Sequence, residues 1–413
     1  MLIALAWKNV WRNKRRSLIV LAAIALGLWG GLFATGLMLG FGETYVSSAI
    51  DRDISHCQIH TPAFKEDELL ADVIPGADAL VAAIRRLSPV REVSPRMIVG
   101  AMASSAASSN MVRLYGVDPA AERNVTSIQK QIKEGVYLDG AGRMSVVVGE
   151  TLAKKLALRL RSKLVLSMQG IDGSIVYGGF RVSGIFRTES TVFDGATIFV
   201  RREDLGGLVG TGLCAHEIAI RLSESGAVEE AVDSMRALAR ALARVPAPGL
   251  AVEGWKELAP ELRITAESTG VTMQIFVGVI LFALLFGITN TMLMSVLDRV
   301  REFGVLMAVG MRRRRLFGLI VTETILLALT GAAAGILLGG STVWLLSLNG
   351  IDLSWFSDGL AYYGLPVILY PVLPLSVYPG VVGMVIATAV LAATYPAIKA
   401  IRLKPARAIR TYG

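Results

Sequence analysis

Between Glu267 and Asp298 the chain has no charged side chain, and most of the residues in that interval are apolar. About 20 such residues suffice for a helix to cross the hydrocarbon of a bilayer. Three other stretches are comparable. Residues 18–41 are uncharged up to Glu43, and residues 316–348 are interrupted only by Glu323. A fourth run begins near Ser376 and ends near Pro396, before Lys399. Pro366, Pro371, Pro374 and Pro379 make the chain leading into it irregular rather than one long helix. Only 18% of the 413 residues are charged, where a soluble domain carries about a quarter. The backbone finds no water in a bilayer, so runs like these must close their hydrogen bonds within a helix. The sequence therefore predicts a membrane protein with four transmembrane α-helices.

The first run follows a basic start, as a signal peptide does. Its apolar part exceeds the roughly 7–15 residues of a signal h-region and no clear A-x-A site follows, so it is read as a retained signal anchor. Orientation follows from Lys and Arg in short flanking segments. Lys8, Arg12, Lys14, Arg15 and Arg16 precede the first run. Arg299, Arg301, Arg312, Arg313, Arg314 and Arg315 lie between the second and third, and Lys399, Arg402, Lys404, Arg407 and Arg410 follow the fourth. These three segments contain only two acids, Asp298 and Glu302, and the rest of the chain holds more acids than bases. The net charge of +9 is thus a membrane-topology charge and not a nucleic-acid footprint. Both termini and the segment around Arg301 are expected in the cytoplasm. Residues 43–267 and 349–375 are expected outside.

The outside stretch 43–267 is long enough for a sizeable domain, and its pattern is α+β. "DISHCQIHT" alternates as a strand does, "GADALVAAIRRL" has helical spacing, and "REVSPRMIVGAMASS" and "NMVRLYGVD" read as strands. A second block follows: "MSVVVGETLAKKLAL" as strand then helix, "SKLVLSMQG" and "GGFRVSGIF" as strands, and "ATIFVRREDLGGLVG" as strand then short helix. A third block returns to the first pattern, with "AHEIAIRLS" as strand, "AVEEAVDSMRALARAL" as helix and "LAVEGWKELA" as strand. The middle block, about 120–212, reads as a β subdomain inserted in a βαβ layer.

Two cysteines, Cys57 and Cys214, fall in this region, either as a bridge that an oxidising compartment permits or as buried free thiols. With His56 and His216 they could in principle hold a metal, but no tight C-x-x-C or H-x-x-x-H element supports that. There is no G-x-x-x-x-G-K-[ST] phosphate loop, no H-E-x-x-H and no G-x-S-x-G. The glycine of "VVVGETLAKKL" reads as a strand-to-helix turn. Nothing marks an enzyme.

The basic segment "DRVREFGVLMAVGMRRRR" is amphipathic. Helical spacing aligns Phe303, Leu306 and Val309 or Gly310 on one side, and Gly310 should stop the helix. Such a helix, joined to two spans, can present its apolar side to a soluble partner and transmit force. It can equally be a basic turn on lipid headgroups, and composition does not decide between the two.

"GITNTMLMSVLDRVREFGVLMAVGMRRRRLFGLIVTETILL" resembles the signature region of FtsX-like ABC permeases, the group with macrolide-exporter and lipoprotein-releasing permeases. The chain keeps Asn290, Met294, Val296, Arg299, Arg301, Glu302, Gly304, Leu306, Ala308 and Gly310 of that pattern. "WKNVWRNKRRSL" resembles the family's amphipathic first helix, and "YPAIKAIRLKPARAIR" its close. "ISHCQIHTPAF" and "NGIDLSWFSDGL" resemble the lipoprotein-releasing branch in particular.

The resemblance implies a cytoplasmic amphipathic helix at 1–17, a span at 18–42 and a periplasmic α+β domain at 43–267. A span at 268–297, a coupling helix at 298–315 and a span at 316–348 would follow. A periplasmic loop at 349–375, a span at 376–396 and a cytoplasmic tail at 397–413 would complete the chain. The first two spans would continue outward as a stalk. The chain would sit in a bacterial inner membrane and pair with a second permease copy or paralogue on a dimer of ABC ATPase subunits. Those subunits would hold ATP and Mg, and this chain no cofactor. ATP-driven motion would enter through Arg299, Arg301, Glu302, Phe303, Leu306 and Gly310, with Phe303 and Leu306 as anchors in the ATPase. Membrane lipid, lipoprotein cargo and a periplasmic carrier complete the candidate partners. The alternative within the family is ATP-driven signalling to a periplasmic hydrolase, whose members have smaller outer domains. A secondary transporter or channel is disfavoured, since broken-helix pairs are missing.

Small residues let helices approach closely. Gly331, Gly335 and Gly339 form one such row, and Gly27 with Gly31 another, for packing within the four-helix unit or between subunits. Asn290 is grouped with these packing positions. Glu323 lies two to three turns past Arg315, about 12 Å along a helix axis. No second buried charge accompanies it in sequence, so a structural hydrogen bond is expected and not proton transport.

Overall fold

The computed structural model describes residues 2–12, 14–140, 142–224, 228–242 and 249–402. The basic tail with Lys404, Arg407 and Arg410 lies outside the described residues. The chain opens with α1 (Leu2–Arg12) and α2 (Lys14–Ala49), and a π-helical turn, Ile50–Ile54, closes α2. Then come β1 (Cys57–His60), α3 (Pro62–Asp67), α4 (Ala77–Ile84), β2 (Val90–Ser104), β3 (Ser109–Val117) and α5 (Pro119–Val125). The middle block holds β4 (Ile132–Gly135), β5 (Ser145–Gly149), α6 (Glu150–Lys155), β6 (Lys163–Gln169) and β7 (Ile175–Phe186). It ends with α7 (Thr191–Ala196), β8 (Thr197–Arg201) and α8 (Arg202–Val209). Next are β9 (Glu217–Leu222), α9 (Val228–Leu242), β10 (Ala251–Gly254) and α10 (Trp255–Leu258). The chain continues through α11 (Pro260–Asp298), α12 (Val300–Ala308), α13 (Arg313–Asn349), α14 (Ser357–Tyr362) and α15 (Val377–Ile401).

Two compact units result: Met1–Gly42, Glu267–Asp352 and Leu369–Gly413 in one, Glu43–Ala266 and Leu353–Ile368 in the other. In the first unit the apolar core joins Ile24, Leu28, Ile288, Met292, Leu327, Ala328, Val385 and Ala389 from four helices. Among the described residues four helices are long and apolar enough to cross a membrane. The last of them passes through Pro396 to Ile401, although the sequence suggested a stop there. Proline costs a helix one backbone bond, but the neighbouring alanines Ala392, Ala393, Ala397 and Ala400 stay buried and hold the helix in place.

In the second unit the outer layer is β10-β1-β9-β2, antiparallel. Helices α4 and α9 cover it through Leu80, Val81, Ile84, Ala231, Val232 and Met235. The middle block is not a separate β subdomain. β3 pairs β8, β8 pairs β5, β5 pairs β7, β7 pairs β6, and β6 returns to β2, which pairs β3. Those six strands close a barrel that borrows β2 and β3 from the first block. Alternate residues fill it: Ala101, Ala103, Val112, Leu114, Val146, Val148, Leu164, Leu166, Phe180, Val182, Ile198 and Val200. The barrel exists because β2 runs for 15 residues, long enough to serve both the layer and the barrel.

Two strand expectations are shortened. "DISHCQIHT" is strand only over Cys57–His60, because Asp53 belongs to the π turn. "LAVEGWKELA" is strand only to Gly254, after which Trp255 N–H donates to His56 O at 3.0 Å and opens α10. Arg96, 1% exposed, fixes the π turn to the sheet. It donates to Glu122 at 2.8 and 3.2 Å, to Glu217 at 2.8 Å and to the Asp53 carbonyl at 2.6 Å.

Candidate functional site

The segment between α11 and α13 is helical over Val300–Ala308, and Gly310 ends it with φ +103°, a conformation that glycine adopts without strain. Its apolar side faces the chain's own core. Phe303 is 1% exposed and packs among Val296, Leu316 and Ile320, and Leu306 is half-buried against the same cluster. Phe303 is therefore covered by the chain itself and is not a free anchor for a partner, whereas Leu306 keeps part of its surface open. The outward side carries Arg301, Glu302, Val305, Ala308, Val309 and Gly310, with Val305 52% and Val309 84% exposed. Helical spacing drew the amphipathic stripe correctly, but only packing decides which side is already occupied.

Arg299 turns inward as well. Its Nη1 donates to both carboxylate oxygens of Glu323 at 3.0 and 3.1 Å, and its Nε to Glu302 at 3.0 Å. Its guanidinium lies 5.0 Å from the centre of the Phe303 ring, a cation–π distance. Glu302 in turn accepts two bonds from Arg12 at 2.7 and 2.8 Å. Burial pushes the Glu302 carboxyl up, but the hydrogen bonds and charges of Arg12 and Arg299 together outweigh it and hold the group below its usual value. Glu323 thus has a second charge beside it, contrary to the expectation from sequence. Arg299 stands outside the apolar run, and only the fold of α12 beside α13 brings it to Glu323. The chain Arg12–Glu302–Arg299–Glu323 ties α1, α12 and α13 together.

Helix α1 packs against α13 with Ala6 and Val10 buried. Trp7 and Trp11 stay exposed and meet edge to face at 6.0 Å. The Ser17 hydroxyl donates to Val10 O and closes the corner between α1 and α2. A cavity of about 30 Å³ beside Glu323 is lined by Ser17, Thr291, Ser295, Val10, Val20 and Leu327.

The glycine rows meet partners in the same chain. A Cβ on Gly331 would touch Ile24, one on Gly335 Leu28 and Ala25, and one on Gly339 Leu32, so this row receives α2. Gly27 and Gly31 face Leu284 and Ile280 of α11. Asn290 does not join them: it is exposed on α11. That helix also leaves Ile275, Phe276, Val279, Phe282 and Phe286 exposed.

In the other unit Cys57 and Cys214 are both free thiols, and burial, with Glu257 nearby, pushes the Cys57 thiol up to about 12. The histidines beside them serve the backbone. His56 Nδ1 accepts from Leu222 N–H, and His216 accepts from Ile98 N–H while facing Leu70 O. Among the described residues no group of three or more His, Cys, Asp or Glu could hold a metal.

Residues 17–238, more than half of the chain, match the MacB-like periplasmic core domain, and residues 274–405 match the FtsX-like permease C-terminal family. An uncharacterized ABC transporter permease of Bacillus subtilis, YvrN, is 22% identical over 99% of this chain and 98% of its own length. The macrolide export ATP-binding/permease protein MacB of Brucella abortus is 34% identical over 36% of this chain, which spans only 21% of that protein. The periplasmic region of MacB from Actinobacillus actinomycetemcomitans matches 53% of this chain and 97% of its own, at 12% identity and a TM-score of 0.39. The two family matches run from the first apolar helix to the last, and the chain belongs to the FtsX-like ABC transporter permeases with a MacB-like periplasmic core domain.

Proposed function

We propose that this permease converts ATP hydrolysis on an ABC ATPase partner into motion of its periplasmic core domain. The motion would move amphipathic cargo, lipoproteins included. The observation that carries the reading is the ion-pair chain Arg12–Glu302–Arg299–Glu323. It joins α12 to α13 through the largely buried Arg299–Glu323 pair and, more weakly, to α1 through the exposed Arg12–Glu302 pair, so a push on α12 would be passed on to α13. The docking face is the outward side, Val305, Ala308 and Val309 with Arg301, and not the buried Phe303. ATP and Mg belong to the partner, and α12 lies on the cytoplasmic side of a bacterial inner membrane with both termini. A second permease, identical or related, would cover the exposed apolar face of α11.

The test separates docking from folding. Val305→Asp with Val309→Asp should reach the membrane, unfold at the parent temperature and lose the co-purifying ATPase. Phe303→Ala should instead lower the folded protein, since emptying an aromatic site in a core costs about 3–5 kcal/mol. Retention of the ATPase by the double aspartate variant would refute the assignment of the docking face.

A further inference from the structure

The segment Leu353–Ile368 groups with residues Glu43–Ala266, although α13 and α15 flank it in sequence. One edge rests on the core domain. Thr191 Oγ1 donates to Ala361 O at 3.2 Å, and a Cβ on Gly364 would lie 3.3 Å from Ser190 Cβ. Gly364 holds φ +70° and donates to Ala361 O at 3.3 Å. Leu353 N–H donates to Val367 O at 2.8 Å and closes the base of the segment. It is therefore a fixed plate and not a slack connection.

The other edge is aromatic and uncovered. Trp355 is 95% exposed, and Phe356, Tyr362 and Tyr363 are each more than 60% exposed. Tyr362 and Tyr363 meet edge to face at 5.3 Å, and the rings otherwise stay open to solvent. Helix α13 ends at Asn349 and α15 begins at Val377, so with both helices crossing the bilayer, as the proposed function has them, the segment joins two ends on the same side of it. No Lys or Arg occurs between Arg315 and Lys399, and Arg52, which reaches Gly364, is already paired with Asp53 and lies over the Phe193 ring, so the aromatic edge carries no cation of its own to recruit an acidic protein or nucleotide. Trp and Tyr are enriched where an apolar ring and a polar edge meet the headgroup level.

We propose that Leu353–Ile368 is an interfacial plate, with Trp355, Phe356, Tyr362 and Tyr363 seated in the headgroup–acyl boundary of the lipid bilayer. The core domain then has a lipid contact of its own. This inference does not depend on which partner hydrolyses ATP.

The experiment uses the full chain in phosphatidylcholine nanodiscs, with lipids unmodified, brominated near the headgroup end of the acyl chain, or brominated near its tip. Trp355 emission is taken as the difference between the parent and Trp355→Phe. Seating in the boundary predicts that Trp355 loses most of its emission with bromine near the headgroup end and clearly less with bromine at the tip. Trp355 is almost fully exposed, so the substitution leaves the fold intact. Phe356→Trp in the Trp355→Phe background should repeat the pattern. No quenching by either lipid, with ready quenching by aqueous iodide, would overturn the proposal. So would shielding from both lipid and iodide, which would put a protein partner on the face.

Discussion

Glu323→Gln removes one charge from a pair at the start of the third apolar helix. Arg299 and Glu323 are 13% and 10% exposed and share two hydrogen bonds of 3.0 and 3.1 Å. Opposite charges about 4 Å apart attract by about 4 kcal/mol at an effective dielectric near 20. Desolvation of both groups takes back part of that attraction. Arg299 keeps Glu302 in the variant, but Glu302 is 46% exposed and compensates weakly. We therefore expect each of Glu323→Gln and Arg299→Gln to cost about 2–3 kcal/mol, with a pair coupling of about 1–2 kcal/mol. The assay is reversible unfolding in bicelles of parent, two single variants and the double variant. Costs that add to within about 0.5 kcal/mol would refute the reasoning, since independent sites behave that way. A second readout addresses function. ATPase stimulation should fall more in Glu323→Gln than in a core variant of equal stability cost, because only the first cuts the connection between α12 and α13.

Gly335→Ala would place a Cβ 2.8 Å from Leu28 Cβ and 2.9 Å from Ala25 O, groups that cannot swing aside. It should cost about 1–3 kcal/mol as overpacking, whereas Gly318→Ala on the same helix meets nothing within 4 Å and should leave stability unchanged or raise it by up to about 1 kcal/mol in the same unfolding assay. Burial pushes the Asp194 carboxyl up to about 7, against hydrogen bonds from Thr188 that favour its ionised form. Its folded value lies above the unfolded value of about 3.9, so the folded state holds more protons between them and stability falls as pH rises from about 4 to about 7. Thermal unfolding against pH should show that decline in the parent and a shallower one in Asp194→Asn, and equal slopes would refute it.

The long apolar helices and the class of the outer domain were legible because both rest on local patterns. An uncharged run has one stable solution in lipid, and alternation or helical spacing marks which face a strand or helix will bury. The same local rules placed the stop at Gly310 and the small residues at Gly331, Gly335 and Gly339, which must accommodate a neighbour whichever neighbour it is. The partners of those residues were not legible. Phe303 read as an anchor for another protein because an amphipathic stripe shows that one side wants cover, not what covers it. Glu323 read as a lone acid because Arg299 is 24 residues away in sequence. The middle block read as an insertion because strand order in a sheet leaves no mark on any one strand. β6 closes the barrel onto β2 through Met102, Ala103 and Ser104, residues about 60 positions earlier. Sequence by itself thus determined which segments are apolar, which alternate and where the basic turns lie, all consequences of nearest-neighbour chemistry. Tertiary structure alone decided which apolar face the chain fills itself and which charges it pairs, because those depend on contacts between residues that only the folded backbone brings within bonding distance.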